Sequence, residues 1–177
     1  NDEIVVVGGN NLLNKFHSIG SKVIYSHSIN YDYLLRNKRK INEKVLKKSI
    51  AYIDSGFGLH PDFYLSKGIN SDFNIVSFSN KLNFLFKKLN EFGYKVYFLA
   101  NPKIPREKQN IYKHCKIIYY KTPEYIKKSE LVIFSASSTI EYGIIFKKKI
   151  LRIFSNGFNA YPINVDQSIG FKNFFSK

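Results

Sequence analysis

The chain has 177 residues, room for one full domain or for one domain with part of another. With 44% hydrophobic residues a sizeable core is expected, while the single Cys115 excludes an internal disulfide framework and no apolar run reaches membrane-spanning length. The formal charge of +15 attracts polyanions, but Arg stands only at Arg36, Arg39, Arg106 and Arg152, too few for the bidentate contacts of a dedicated nucleic-acid reader.

In chain order, Ile4 to Val7 reads as a strand ending in Gly8 and Gly9, with a short helical segment following through Phe16. The start NDEIVVVGG lacks a basic, cleavable leader pattern, and the absence of any Met is what a fragment would show. Lys22 to Tyr25 is a second strand, closing on the polar turn Ser26, His27, Ser28, and a helix is expected from Tyr31 to about Lys38. The charged stretch Arg36 to Lys48 has sparse apolar positions and reads as a boundary. Residues 1–45 are thus expected to be the end of a first domain with its connector, and 46–177 a second domain.

The second part is more regular. Ala51 to Ile53 forms a short strand leading into the Gly- and Pro-punctuated loop DSGFGLHPDF. From Ser77 to Phe92, the apolar residues Phe78, Leu82, Leu85, Phe86 and Leu89 share one helical face, with Gly93 as the stop. Strands follow at Lys95 to Ala100 and Lys116 to Tyr119, then a helix that Thr122 caps and Pro123 opens. The stretch ELVIFSASSTIEYGIIFKKKILRIF reads as a buried strand, a turn of small hydroxyl residues, a short helix and a second strand over Ile150 to Phe154. Ser138 and Glu141 have the spacing of a capping box. The tail beyond Gly157 is aromatic and irregular. Strands alternating with helices predict an α/β fold, a Rossmann-like, mostly parallel sheet.

No Walker loop, G-x-G-x-x-G, nucleophile elbow or paired metal-ligand cluster occurs, so no metal site is expected, and His17, His27, His60 and His114 are scattered. Polar residues instead recur at the carboxyl ends of expected strands: Ser26-His27-Ser28, Asp54-Ser55-Gly56, Asn101-Pro102-Lys103, Lys121-Thr122 and Ser135 to Thr139. In a doubly wound sheet these ends share one crevice, where ligands bind. Ser137, Ser138 and Thr139 suit a phosphate; the plainer reading is that they cap a helix. Asp54, beside Gly56, is the candidate general base, and its plainer role is to hold the loop. His60 and Asp62 are alternatives to it.

The series YSHSINYD, AYIDSGFGLHPDF, VYFLANPK and YKTPEYIKKSELVIFSASSTIEYGIIFKKKIL resembles bacterial surface-polysaccharide biosynthesis proteins of the GT-B glycosyltransferase type. More distantly it resembles bacterial sialyltransferases and the glycerophosphate transferases of teichoic acid synthesis. The resemblance covers roughly residues 22 to 154. It implies a C-terminal donor-binding domain preceded by the end of an acceptor domain, working in capsule or lipopolysaccharide assembly.

The resemblance also implies that Ser137, Ser138 and Thr139 hold donor phosphates, with Glu141 behind them and His27, Ser28, His60 and Thr122 in the substrate cleft. Asn101-Pro102 falls where the family has His-Pro, and asparagine donates a hydrogen bond but cannot deliver a proton. Ser135 likewise stands where a histidine is common in that family. Lys103 and Lys121 would neutralise the diphosphate without a metal, so a nucleotide-sugar is expected as donor substrate and no separate cofactor. The expected partners are that donor, a glycan or lipid-linked glycan acceptor, and a peripheral contact with anionic membrane at the cytoplasmic face. Two other readings stand beside this one. A catalytically degenerate nucleotide- or carbohydrate-binding module would explain Asn101; an RNA-binding protein would explain the charge, but most aromatics fall in expected core positions.

Overall fold

The computed structural model describes residues 4–8, 22–37, 41, 44–60 and 74–153. By contacts the chain divides into two compact units, Asn1–Asn42 and Glu43–Lys177. The expected helical segment before Phe16, together with His17, Asp62, Phe154 and the aromatic tail, lies outside the described residues.

In the first unit, β1 (Ile4–Gly8) and β2 (Lys22–Ser26) pair in parallel, Ile4 opposite Lys22 and Gly8 opposite Ser26. Helix α1 (Ile29–Asn37) starts two residues before the expected Tyr31. Ser28 is the reason: its Oγ accepts the Tyr31 N–H at 3.1 Å, satisfying one of the unpaired amides of the first turn.

The second unit is built on five strands, β3 (Ser49–Ile53), β4 (Lys95–Leu99), β5 (Lys116–Ile118), β6 (Leu131–Phe134) and β7 (Lys149–Arg152). They form one sheet in the order β5-β4-β3-β6-β7, and all four pairings are parallel. Numbered within the unit, the strands run third, second, first, fourth, fifth, an order consistent with a doubly wound, Rossmann-like sheet. The crossovers carry α2 (Ile75–Glu91) between β3 and β4, α3 (Arg106–Gln109) between β4 and β5, α4 (Thr122–Lys128) between β5 and β6, and α5 (Ile140–Ile145) between β6 and β7.

Alternation along the strands sorts the core into two layers. Ile50, Tyr52, Val96, Phe98 and Ile133 face α2 and join its Phe78, Leu82 and Phe86 in one buried cluster. Tyr52 stacks on Phe98 at 5.4 Å between ring centroids, and Phe98 on Tyr112 at 4.2 Å. Across the sheet, Tyr97 meets Tyr125 of α4 edge-on at 4.8 Å. Every residue of β3 is buried, as expected of a central strand covered on both faces.

Helix ends differ from expectation by a residue or two, with local causes. Helix α2 begins at Ile75 rather than Ser77 because the Asn74 side chain accepts the Ser77 N–H at 2.9 Å. Its other end is a full Schellman closure: Gly93, at φ +81°, donates to Asn90 O at 2.8 Å and Tyr94 to Leu89 O at 2.9 Å. Thr122 does not cap α4; the N-cap is Lys121, so Thr122 is the first helical residue and Pro123 sits in the first turn. Nor does α5 start from the expected capping box. Its N-cap is Thr139, which makes no side-chain cap bond, while the Thr139 N–H bonds to Ser137 Oγ at 3.3 Å.

Candidate functional site

Strand order reverses between β3 and β6, so the crossovers from these neighbours leave to opposite faces and part at their carboxyl ends. The residues that line this parting are Asp54 to Gly56 after β3 and Ser135 to Thr139 after β6. Ser55 spans it: its half-buried hydroxyl accepts the Ala136 N–H at 3.1 Å.

On the β4 side, Asp54 organises a buried polar cluster. One carboxylate oxygen accepts the Gly56 N–H at 2.8 Å. The other accepts the Asn101 N–H at 3.2 Å and Gln109 Nε2 at 3.3 Å. Gln109 Nε2 also bonds to the Asn101 carbonyl at 3.0 Å, so α3 is pinned to the loop after β4. Asp54 is only 6% exposed, and burial pushes its carboxyl above the ordinary range. The Gly56, Asn101 and Gln109 donors and the neighbouring His60 charge oppose that rise. The same low dielectric, with the Asp54 charge, raises the phenols of Tyr52 and Tyr112.

Gly56 is at φ +72°, and a Cβ there would stand 3.0 Å from Asn101 Nδ2 and from Ile104 Cδ1, and 3.2 Å from His60 Cβ. Only glycine lets these loops close on each other. His60 is buried, its N–H bonded to Gly56 O at 2.9 Å. Asn101 is half-buried and its Oδ1 accepts the Lys103 N–H at 3.0 Å, making an Asx turn; Pro102 and Lys103 are exposed.

On the β6 side, Ser135 is buried, and its side chain bonds to the Tyr52 phenol, opposing the rise of that phenol's pKa. The Ser135 carbonyl accepts Arg152 Nε at 2.9 Å, which brings a guanidinium from the end of β7 to the start of the serine turn. Burial lowers the Arg152 pKa from its ordinary value, but arginine remains cationic in proteins. Ser137 and Thr139 are half-buried, Ser138 is exposed, and Glu141 is half-buried in the first turn of α5.

The structure thus gathers Asp54, His60 and Asn101 into one cluster and Ser135, Ser137 and Thr139 into a second, joined through Ser55. Of the expected residues within this unit, Thr122 lies apart. Thr122 opens α4 beyond β5, two strands from the β3–β6 boundary. His27 and Ser28 belong to the first unit, where the exposed His27 ring packs 4.9 Å from Tyr31 and Ser28 caps α1. Three contributors had no assigned role at the level of sequence: Ser55, Gln109 and Arg152. Arg152 left a signal, being one of few arginines in a lysine-rich chain; Gln109 left none, since nothing local says that a four-residue helix turns it toward Asp54.

Two other features lie apart from the crevice. An open depression of about 570 Å³ along α2 is lined by Asn74, Val76, Ser77, Asn80, Lys81 and Phe84, with no carboxylate or histidine. Cys115 is held by burial at a thiol pKa of about 12, too high for a nucleophile at neutral pH. Among the described residues no cluster of His, Cys, Asp and Glu is suited to a metal ion, and no helix is long and apolar enough to cross a membrane. Compared with protein-family models and with curated proteins, the chain matches none.

Proposed function

We propose that the crevice between β3 and β6 binds a nucleotide-sugar, and that the chain is the donor-binding part of a GT-B type glycosyltransferase acting in surface-glycan assembly. The observation that carries this reading is the reversal of strand order where two polar loops meet across the Ser55–Ala136 bond. Its position is where doubly wound domains bind nucleotides, and two of the four stretches that resemble polysaccharide-biosynthesis proteins contain these two loops.

In this reading the Ser137 and Ser138 hydroxyls and the Arg152 guanidinium receive the donor phosphates, with Lys103 and Lys121 adding positive charge from neighbouring loops. The acceptor oxygen attacks the anomeric carbon as its bond to the phosphate oxygen breaks, the leaving nucleotide keeps the electron pair, and a carboxylate takes the acceptor proton. Asp54 is the carboxylate assigned to that proton. Burial raises its pKa and so makes it a stronger base than an ordinary carboxylate, and the Gln109 bond, the longest of its three, is the one to yield when acceptor enters. A lipid-linked acceptor would place this work at the cytoplasmic face of the membrane.

Ser138→Ala tests the phosphate turn: the side chain is exposed, so the fold should persist while nucleotide affinity falls at least about tenfold, the cost of one charge-assisted hydrogen bond. Unchanged affinity would remove the turn from the site. A second reading, a binding module without transferase activity, is favoured by Asn101 in place of a proton donor and by the engagement of both Asp54 oxygens. Asn101→His separates the two. Gain of sugar-nucleotide hydrolysis supports a transferase site, whereas donor binding with no such gain supports the module.

A further inference from the structure

The crevice occupies the carboxyl edge of the five-stranded sheet, and the opposite edge has a different chemistry. Lys48 immediately precedes β3, while Lys95, Lys116 and Lys149 each open a strand there. Backbone bonds tie these starts into one surface: Lys95 N–H donates to Lys48 O at 2.7 Å, Leu46 N–H to Lys128 O at 2.8 Å, and Glu130 N–H to Ser49 O at 2.9 Å. All four lysine side chains are exposed, as are Lys47 and Lys147 beside them. Two described carboxylates stand against this charge. Glu130 accepts the Lys48 N–H at 2.9 Å, and Glu91 is bonded to Lys88 at 2.7 Å.

The carboxyl edge is more mixed. There Lys103, Arg106, Lys108, Lys121 and Arg152 are interspersed with Asp54, Glu107, Glu124 and Glu141. Among the described residues of this unit the larger excess of positive charge therefore lies on the edge away from the crevice.

Apolar side chains are exposed among those lysines. Val45 is 56% exposed and Leu46 43% in the segment entering β3, and Phe92 is 71% exposed in the turn entering β4. Ammonium groups interleaved with bare aliphatic and aromatic side chains match the boundary between head groups and acyl chains of an anionic bilayer. A nucleic-acid surface would instead present arginines and several stacking rings. This edge offers no described arginine and a single exposed phenylalanine.

We propose that the amino edge of the sheet docks on an anionic lipid surface, with Lys47, Lys48, Lys95 and Lys149 on the head groups and Phe92 entering the interface. The crevice then faces away from the bilayer. The proposal does not depend on the donor chemistry assigned to the crevice.

Co-sedimentation with phosphatidylcholine vesicles, with and without phosphatidylglycerol, tests it on the full chain. The expected result is binding that needs phosphatidylglycerol and weakens with salt as the head-group charge is screened. The triple variant Lys47→Glu, Lys48→Glu, Lys149→Glu should bind on the order of 100-fold more weakly, at roughly fivefold or more per cation. Phe92→Ser should weaken binding without altering the salt slope, and Lys103→Glu with Lys121→Glu on the other edge should leave it intact. Equal loss from reversals on either edge, no preference for phosphatidylglycerol, or tighter binding of a single-stranded RNA through the same lysines would each overturn the assignment. All substituted side chains are exposed, and melting curves of each variant confirm that the fold is retained.

Discussion

Asp54 shows at the scale of one residue how position sets chemistry. In water its carboxyl would titrate near 3.8; inside the loop cluster desolvation holds it higher, even against three hydrogen bonds. A carboxyl whose folded-state pKa is raised binds its proton more tightly in the folded protein. Its contribution to stability is complete below the ordinary carboxylate range and is lost as pH rises through the raised value. Asp54→Asn should therefore flatten the fall in melting temperature over that window, and parallel curves for variant and parent would show that the group is not strained. Gly56→Ala is expected to cost about 2–4 kcal/mol in urea melts, from the left-handed backbone and the 3.0 Å approaches to Asn101 and Ile104. Lys147 gives the opposite sign. It sits at φ +52° as the left-handed residue that closes α5, donating to Ile144 O at 2.9 Å. Lys147→Gly should stabilise by about 0.5–1 kcal/mol, and a loss instead would mean that the Lys147 side chain contributes more than its backbone costs.

At the scale of elements, the order of strands and helices in the second unit was legible because each pattern is local. Leu131 to Phe134 reads as a buried strand from its apolar run, and the α2 face follows from Phe78, Leu82 and Phe86. What lies in α2 is also what most of the core rests on: Phe86 is fully buried against Tyr52 and Phe98, and Phe86→Ala should cost about 3–5 kcal/mol by denaturant titration. Helix starts were less legible. Lys121 and Thr139 take the N-cap positions where Thr122 and Ser138 had the better capping chemistry, because crossover length and strand position decide where the first turn closes, while Asn74 caps α2 two residues ahead of the expected start. The same applies to the site. That polar loops end the strands could be read from sequence; that Gln109 joins Asp54, that Ser55 bridges to Ala136 and that Arg152 reaches Ser135 depends on contacts between residues 17 to 81 positions apart.

At the scale of the whole second unit, the two ends of one parallel sheet differ in their chemistry. Among the described residues the amino edge holds the larger lysine excess with Val45, Leu46 and Phe92; the carboxyl edge holds a mixed-charge, partly buried polar crevice at the point where strand order reverses. A doubly wound sheet separates these ends by the length of its strands, so charge that draws the molecule to a polyanionic surface need not fill the cleft. If the crevice takes a nucleotide, as proposed, a thermal-shift titration with CMP, CDP, UDP, GDP and ADP will register it. Binding to the folded state alone raises stability by about 2.7 kcal/mol at a hundredfold excess over Kd. One nucleotide should raise the melting temperature saturably, and Ser138→Ala should remove the rise. A cooperative melt that none of the five nucleotides shifts would contradict it.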